Sequence, residues 1–188
     1  MEELFKKAFF TSKEANDAGC SNRMLSYYVQ NGTLERISRG VYRASDFGDV
    51  VDSKWLGLVT SAKSINNGVI CLLSALIYYE LTDEFMSEYW IAIPHEQSKA
   101  SIPSTKIVRM RNIELGISTI KLCEMNVNIF DVERTIIDSF RLLDLETSMK
   151  ALKSYMSGAC GKPNIKKLTK YSKELRQDIS KYILPFTI

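Results

Sequence analysis

Side chains that can bond to base edges and phosphate oxygens are concentrated between residues 21 and 43 of the 188-residue chain. Arginine presents two parallel donors to guanine, asparagine or glutamine pairs with adenine, and serine and tyrosine hydroxyls bond to phosphate oxygens. We expect Arg23 and Gln30 to read bases and Ser26 and Tyr27 to hold phosphates. The whole predicted DNA-binding set is Ser21, Asn22, Arg23, Ser26, Tyr27, Gln30, Arg36, Ser38, Arg39 and Arg43.

The helices that must position these side chains are indicated by capping residues. Thr11 and Glu14 have the spacing of a capping box, and Gly19 fits the end of the helix that they begin. Ser21 is suited to cap a second helix, which carries polar residues on one side and apolar residues on the other. Gly32 ends that helix. The sequence therefore predicts two short helices joined by a tight turn.

A hairpin is predicted directly after the second helix. Its strands are Thr33–Ile37 and Val41–Arg43, and they are joined by the short loop Ser38-Arg39-Gly40. Between residues 20 and 43, four arginines oppose one glutamate, and such a cationic segment favours phosphates because binding releases counterions. Helix, turn, helix and basic hairpin follow in the order of a winged helix-turn-helix, whose wing arginines would grip the DNA backbone. The alternative is a small packing unit whose arginines are merely solvated.

Four segments of the chain carry a family resemblance: FTSKEANDAG, NGTLERISRGVYR, LLSALIYYEL and NIFDVERTIIDSFR. They resemble the AbiEi antitoxin family of type IV toxin–antitoxin pairs, which confer abortive infection against phage. The resemblance implies that the N-terminal domain binds inverted repeats in its own promoter and represses the operon. Inverted repeats imply two copies of the protein on the double-stranded operator DNA. The resemblance also implies that the C-terminal domain carries the antitoxin activity, against a nucleotidyltransferase toxin.

Composition predicts a globular protein of two domains. With 45% hydrophobic and 25% charged residues, the chain can bury two cores. We assign residues 1–46 to the winged helix-turn-helix and residues 50–188 to a C-terminal antitoxin domain, with Ser45–Asp49 as a linker. Because we find neither a signal peptide nor an apolar run of membrane-spanning length, we expect a cytoplasmic protein without membrane contact. Four scattered cysteines without a CxxC pair argue against a zinc site.

The C-terminal domain is predicted to have a small sheet and a helical end. Runs of β-branched and aromatic residues predict strands of one mixed or antiparallel sheet, at Glu88–Ile93, Lys106–Met110 and Ile117–Glu124. Apolar periodicity predicts helices at Ser53–Asn66, Val69–Leu81, Val132–Leu142, Glu146–Met156, Ile165–Leu175 and Gln177–Leu184. The predicted fold class is therefore α+β, with an N-terminal winged helix-turn-helix followed by a mixed α+β domain.

Three carboxylates near residue 135 are the best candidates for metal-dependent catalysis. A nuclease or nucleotidyltransferase needs such oxygens around a divalent cation. The spacing fits a structural role better, because Asp131 stands at a helix N-cap and Glu133 lies in the first turn. Asp138 is within reach of Arg134 or Arg141 on the same helix. We therefore predict no catalytic residue, no metal site, no cofactor and no enzymatic activity.

Charge is distributed unevenly along the chain. Residues 44–149 carry a net charge of −6, whereas residues 150–188 carry nine basic and two acidic residues, a net charge of +7. This basic end could meet nucleic acid or an acidic partner and so support DNA binding or toxin neutralisation, or it could be the solvated face of packed helices. The candidate residues are Lys150, Lys153, Lys166, Lys167 and Lys170.

The sequence is also compatible with two other functions. One is a nucleic-acid-processing enzyme that the winged domain targets to its substrate, and a requirement for a divalent cation would identify it. The lone His95 has no partner in sequence that would make it a general base. The other is a transcription regulator whose second domain responds to a ligand.

Overall fold

The structure is a computed structural model that describes residues 2–7, 9–45, 53–98 and 101–186. By internal contacts the chain forms two compact units, of which the first comprises residues 1–68 and 119–127 and the second residues 69–118 and 128–188. Most of the predicted linker Ser45–Asp49 lies outside the described residues. The predicted division into residues 1–46 and 50–188 stays a prediction.

The first unit begins with short helices and a small antiparallel sheet. The elements within its residues 1–68 are α1 (Glu2–Phe5), β1 (Phe10–Thr11), α2 (Ser12–Asp17), α3 (Asn22–Gln30), β2 (Leu34–Ser38), β3 (Val41–Ala44) and α4 (Ser53–Ser64). The strand order is β1-β3-β2, so β3 is the central strand. The core of this unit contains Leu4, Phe10, Ala15, Cys20, Leu25, Leu34 and Ala44.

A five-stranded mixed sheet follows. Its strands are β4 (Val69–Ile70), β5 (Tyr89–Pro94), β6 (Thr105–Met110), β7 (Ile117–Leu122) and β8 (Met125–Phe130). The order is β6-β5-β4-β8-β7. Strand β4 is antiparallel to β5 and parallel to β8, while β5 and β6 are parallel. Of the two predicted arrangements, mixed and antiparallel, the mixed one is therefore observed.

Helices of the second unit pack on one another beside this sheet. They are α5 (Leu72–Tyr78), α6 (Val132–Leu142), α7 (Leu145–Met156), α8 (Ile165–Glu174) and α9 (Ser180–Ile183), with a 3-10 turn at Leu184–Phe186. Their shared core includes Leu76, Ile136, Ile137, Leu152 and Leu168, all fully buried or nearly so. The mixed α+β class is thus confirmed. Within the described residues, no helix combines the length and the apolar character needed to span a bilayer.

The sequence prediction of this region was wrong for one element and missed another. The segment Val69–Leu81 was predicted as one helix, but Val69 and Ile70 form strand β4 and the helix starts at Leu72. The two residues are buried between β5 and β8, and a continuous apolar run does not distinguish a buried strand from a buried helix. Strand β8 was not predicted; a turn at Cys123 and Glu124, with φ of 48° and 61°, starts it directly after β7.

Candidate nucleic-acid interface

The start of α2 is fixed by a capping box. The Thr11 hydroxyl accepts a hydrogen bond from the Glu14 amide at 3.2 Å, and the Glu14 carboxylate accepts from the Thr11 amide at 2.8 Å. Lys7 adds an ion pair to Glu14 at 3.5 Å. The predicted box is therefore confirmed, and it fixes the path by which the chain enters α2.

Glu14 is held in its charged form by these contacts. Burial acts to raise the pKa of Glu14, but hydrogen bonds from Thr11 and the positive charges of Lys7 and Lys63 outweigh it, so the pKa is lowered. The carboxylate is thus ionised at neutral pH, and charge strengthens the hydrogen bonds that it accepts.

Helix α3 exposes the polar side that the sequence predicts. Ser21 caps it by accepting from the Met24 amide at 3.3 Å, and Leu25 on the opposite side is fully buried. The predicted contact residues occupy positions i, i+1, i+4, i+5 and i+8, which share one side of a helix. All of them are exposed, namely Asn22, Arg23, Ser26, Tyr27 and Gln30. A polar stripe about 12 Å long therefore faces solvent.

Two side chains of this stripe already use part of their hydrogen-bonding capacity. Ser26 Oγ donates to the Asn22 carbonyl at 3.0 Å, and the side-chain oxygen of Asn22 accepts from Asn16 at 3.4 Å. Asn22 keeps its amide nitrogen as a donor, whereas Ser26 offers only acceptor lone pairs unless its hydroxyl rotates. A phosphate needs donors, so Ser26 is the weaker of the predicted phosphate contacts.

Tyr27 is exposed but supported from behind. Its side chain is 63% exposed, the Tyr28 ring packs edge-on against it with centroids 5.8 Å apart, and Phe5 packs edge-on against Tyr28 at 5.4 Å. A supported aromatic ring loses little freedom when it binds a partner. Sequence reasoning missed Phe5, because α1 was not predicted and the contact joins residues far apart in the chain.

The β2–β3 hairpin carries the arginines of the predicted wing. Arg36 and Arg39 are exposed and have no ion pair within the described part of the chain. Arg43, by contrast, donates from Nε at 3.0 Å and from Nη2 at 2.6 Å to one oxygen of Glu35, which is its cross-strand partner. The free positive charge of the hairpin is therefore concentrated on Arg36 and Arg39.

The tip of the hairpin is fastened to the start of α2. The Gly40 carbonyl accepts from the Ser12 amide at 2.9 Å, and β1 pairs with β3 beside this contact. Gly40 has φ of 75°, and a Cβ added there would lie 3.0 Å from Ser12 Oγ. Glycine therefore permits both the turn and the close approach. Ser38 ends β2 after a bulge, and its side chain lies outside what the structure describes.

The basic C-terminal residues are mostly on the surface, and some are neutralised within their own helix. Lys150 pairs with Glu146 at 2.6 Å, and Lys170 lies 3.7 Å from Glu174. Of the five candidate lysines, those that are exposed and have no ion pair in the described residues are Lys153 and Lys166. Three of the five candidate lysines are therefore already paired with a carboxylate.

Lys167 belongs to a half-buried network instead. Its ammonium lies 3.1 Å from Asp131 and 2.8 Å from Glu133, while Tyr171 donates to Asp131 at 3.0 Å and Tyr155 to Glu133 at 2.8 Å. Burial acts to lower the pKa of Lys167, but hydrogen bonds to Glu133 and Asp131 outweigh it and raise the pKa. The ammonium therefore stays charged and ties α8 to the start of α6.

The carboxylates that were candidates for a metal site form a helix cap and ion pairs in the second unit. Asp131 caps α6 by accepting from the Arg134 amide at 2.9 Å, as its position predicts. Asp138 is fully buried and pairs with both Arg134, at 2.6 Å, and Arg141. The guanidinium of Arg134 is also fully buried and donates to the carbonyls of Asn112 and Leu115. No group of three metal-ligating side chains comes together in the part of the chain that the structure describes.

The stretch from α1 to β3 also carries a family signature. Residues 1–45 match the family model "Transcriptional regulator, AbiEi antitoxin". The AbiEi match covers the capping box, α3 and the hairpin, and it confirms the resemblance for this part of the chain. It ends before α4, so the AbiEi resemblance of the segment NIFDVERTIIDSFR stays a prediction. No curated protein matches the chain.

Proposed function

We propose that the protein is a DNA-binding transcriptional repressor that uses residues 1–45 as a winged helix-turn-helix. In this proposal α3 enters the major groove of an operator and the β2–β3 hairpin lies along the adjacent backbone. One observation carries it: the exposed polar stripe of α3 and the free Arg36 and Arg39 occur together in the segment that matches an AbiEi transcriptional regulator.

The side chains of the stripe have different roles in this proposal. Arg23 and Gln30 lie two helical turns apart and read bases, and each such contact is worth about 1–3 kcal/mol of discrimination. Asn22 and Tyr27 contact the backbone at either side. The hairpin contributes Arg36 and Arg39 as phosphate ligands, which makes binding sensitive to salt.

The operator is proposed to be an inverted repeat in the protein's own promoter. Two copies related by two-fold symmetry would then read half-sites separated by about one helical turn, roughly 34–36 Å, or a multiple of it. The AbiEi match supports this indirectly, through the family's role as regulators.

The antitoxin half of the proposal concerns the remaining residues. We propose that the protein acts in the cytoplasm as the antitoxin of a type IV pair and counters a nucleotidyltransferase toxin, in defence against phage. Of the five candidate lysines of the basic end, Lys153 and Lys166 are exposed and have no ion pair in the described part of the chain, so they are free to meet an acidic surface. Direct contact with the toxin is not required by the proposal.

Catalysis is not part of the proposed function. Asp131, Glu133 and Asp138 each accept hydrogen bonds from neighbouring side chains or amides, so their oxygens already have partners within the protein. DNA or RNA turnover by the purified protein with Mg²⁺, abolished by EDTA and by Asp131→Ala, would contradict this part of the proposal.

Repression and rescue can be separated in cells. A reporter driven by the upstream DNA measures repression, and growth during induced expression of the proposed nucleotidyltransferase toxin measures rescue. Arg23→Ala and Arg39→Ala should relieve repression and leave rescue intact. Repression that persists in both variants would contradict the role of α3 and the hairpin, whereas a chain that never rescues growth would contradict only the antitoxin half.

A further inference from the structure

Strand β6 forms one free edge of the five-stranded sheet. It pairs with β5 on one side, and no strand among the described residues pairs with its other side. The Tyr89 amide donates to the Ser104 carbonyl at 2.8 Å, which sets the parallel ladder between the two strands. In that ladder the amides of Lys106 and Val108 point to β5, so the backbone groups of Ile107 and Arg109 point away from the sheet.

A shallow groove of about 430 Å³ opens beside this edge. Its floor is apolar and includes Leu72, Trp90, Val108 and Leu142, the last of which is 45% exposed. Val108 and Arg109 point to opposite faces of the sheet, since side chains alternate along a strand. A strand added to β6 would therefore place every second side chain over the groove and the others beside Arg109.

The charge at this edge selects among possible partners. Lys106, Arg109 and Arg111 are exposed, and none of them has an ion pair within the described ranges. A second copy of the chain pairing through β6 would bring these cations together, and lysine on an edge strand is a common protection against such pairing. A nucleobase is disfavoured because the Lys106 ammonium already covers the Trp90 ring at 3.9 Å from its centroid. A segment with carboxylates meets no such obstacle.

We propose that β6 is a docking edge for an extended, acidic segment of a partner protein, which adds to the sheet as a sixth strand. Main-chain hydrogen bonds to Ile107 and Arg109 provide the register of the added strand, as in other cases of strand addition. Apolar side chains of the segment lie over Trp90 and Val108, and its acidic side chains lie beside Arg109. The docking edge shares no residue with the proposed DNA-reading stripe, so either proposal can fail without the other.

Synthetic peptides test the proposal on the full-length chain. The probe is a fluorescent peptide of about eight residues that alternates valine with glutamate, which is long enough to cover β6. A second peptide has the same side chains with alternate backbone amides methylated, and a third has lysine in place of glutamate. Fluorescence anisotropy should show a dissociation constant below about 1 mM for the first peptide but not for the other two.

Substitutions on β6 complete the test. Arg109→Pro removes an outward N–H without removing a bond to β5, and Arg109→Glu reverses the charge without altering the backbone. Both should weaken binding of the first peptide about tenfold or more, while Lys121→Glu, on the strand at the opposite edge of the sheet, should leave it unchanged. If Arg109→Pro does not fold, as judged by circular dichroism, Arg109→Glu and the methylated peptide still test whether the peptide docks on β6.

Several results would overturn the proposal. They are absence of binding up to about 1 mM, equal binding of the methylated peptide, and equal binding of the lysine peptide. Self-association of the chain that Arg109→Pro abolishes would assign the edge to a second copy. Displacement of the peptide by a single-stranded oligonucleotide, with Arg109→Glu weakening both, would assign it to nucleic acid.

Discussion

Replacing Arg134 with methionine tests how the buried ion pair stabilises the second unit. Arg134 and Asp138 are both fully buried, 2.6 Å apart and one helical turn apart on α6. The guanidinium also lies 4.5 Å from the Phe130 ring centroid. Methionine retains much of the apolar volume of the arginine stem but removes every donor.

The cost follows from the groups left behind. Breaking a buried pair by removing one partner costs about 3–5 kcal/mol, because the remaining charge is uncompensated. Arg141 still pairs with Asp138, which lowers this cost, but the carbonyls of Asn112 and Leu115 lose their donor and add about 1 kcal/mol or more. We therefore expect Arg134→Met to lower the free energy of unfolding by about 3–5 kcal/mol.

Urea unfolding followed by tryptophan fluorescence measures this cost. The chain has two tryptophans, so a Trp55→Phe background leaves Trp90 on β5 as the reporter of the second unit. The double variant Arg134→Met with Asp138→Leu removes both charges together. Its loss in free energy of unfolding should be about 2–3 kcal/mol smaller than the summed losses of the two single variants, because neither charge is left buried alone.

The reasoning would be refuted by either of two results. A loss below about 1 kcal/mol for Arg134→Met would mean that the buried charge is readily hydrated or neutralised. Additive losses in the double variant would mean that Arg134 and Asp138 act independently, despite their distance.

Three further predictions concern caps, turns and buried hydrogen bonds. Because the pKa of Glu14 is lowered in the folded protein, its stabilising contribution is present above the ordinary value of 4.5 and is lost as the pH falls through the folded pKa. Glu14→Gln should therefore reduce the fall of the melting temperature with pH on the acid side of the profile. Gly40→Ala and Gly19→Ala should each lower the free energy of unfolding by about 1–2 kcal/mol, because both glycines have a positive φ. Only the new Cβ of Gly40→Ala meets Ser12, so only this variant should also weaken operator binding in a mobility-shift assay. Tyr155→Phe removes the hydroxyl that donates to Glu133 and accepts from the Asn164 amide at 2.6 Å, and it should lower the free energy of unfolding in urea by about 1–2 kcal/mol. Equal urea midpoints would show that these two bonds contribute nothing to stability.

Local signals in the sequence predicted the helices around the candidate site. The Thr11–Glu14 spacing, the cap at Ser21 and the cap at Asp131 were all confirmed, since each depends on residues within one helical turn. Helix α6 has the predicted bounds Val132–Leu142 because its cap and its apolar periodicity agree.

Contacts between distant residues could not be predicted in the same way. Lys167 was expected at the surface, but its partners Asp131 and Glu133 lie more than thirty residues earlier in the chain and meet it only after α6 and α8 pack. The pairing of Arg43 with Glu35 depends on the hairpin register, which a bulge shifts after Arg36. Strand β4 was missed because sheet partners, rather than its own pattern, determine its conformation.

Binding of the purified protein to its own upstream DNA, measured across a salt series against random competitor, tests the central claim most directly. Arg39→Ala and Arg43→Ala form a matched pair on the hairpin, since Arg39 is free and Arg43 is neutralised by Glu35. We predict competitor-resistant binding in which Arg39→Ala lowers affinity and reduces the salt slope by about 1, Arg43→Ala changes both less, and Arg23→Ala relaxes the preference for the operator. Weak binding that ignores sequence and is unaffected by Arg23→Ala and Arg39→Ala would contradict the claim that residues 1–45 read DNA.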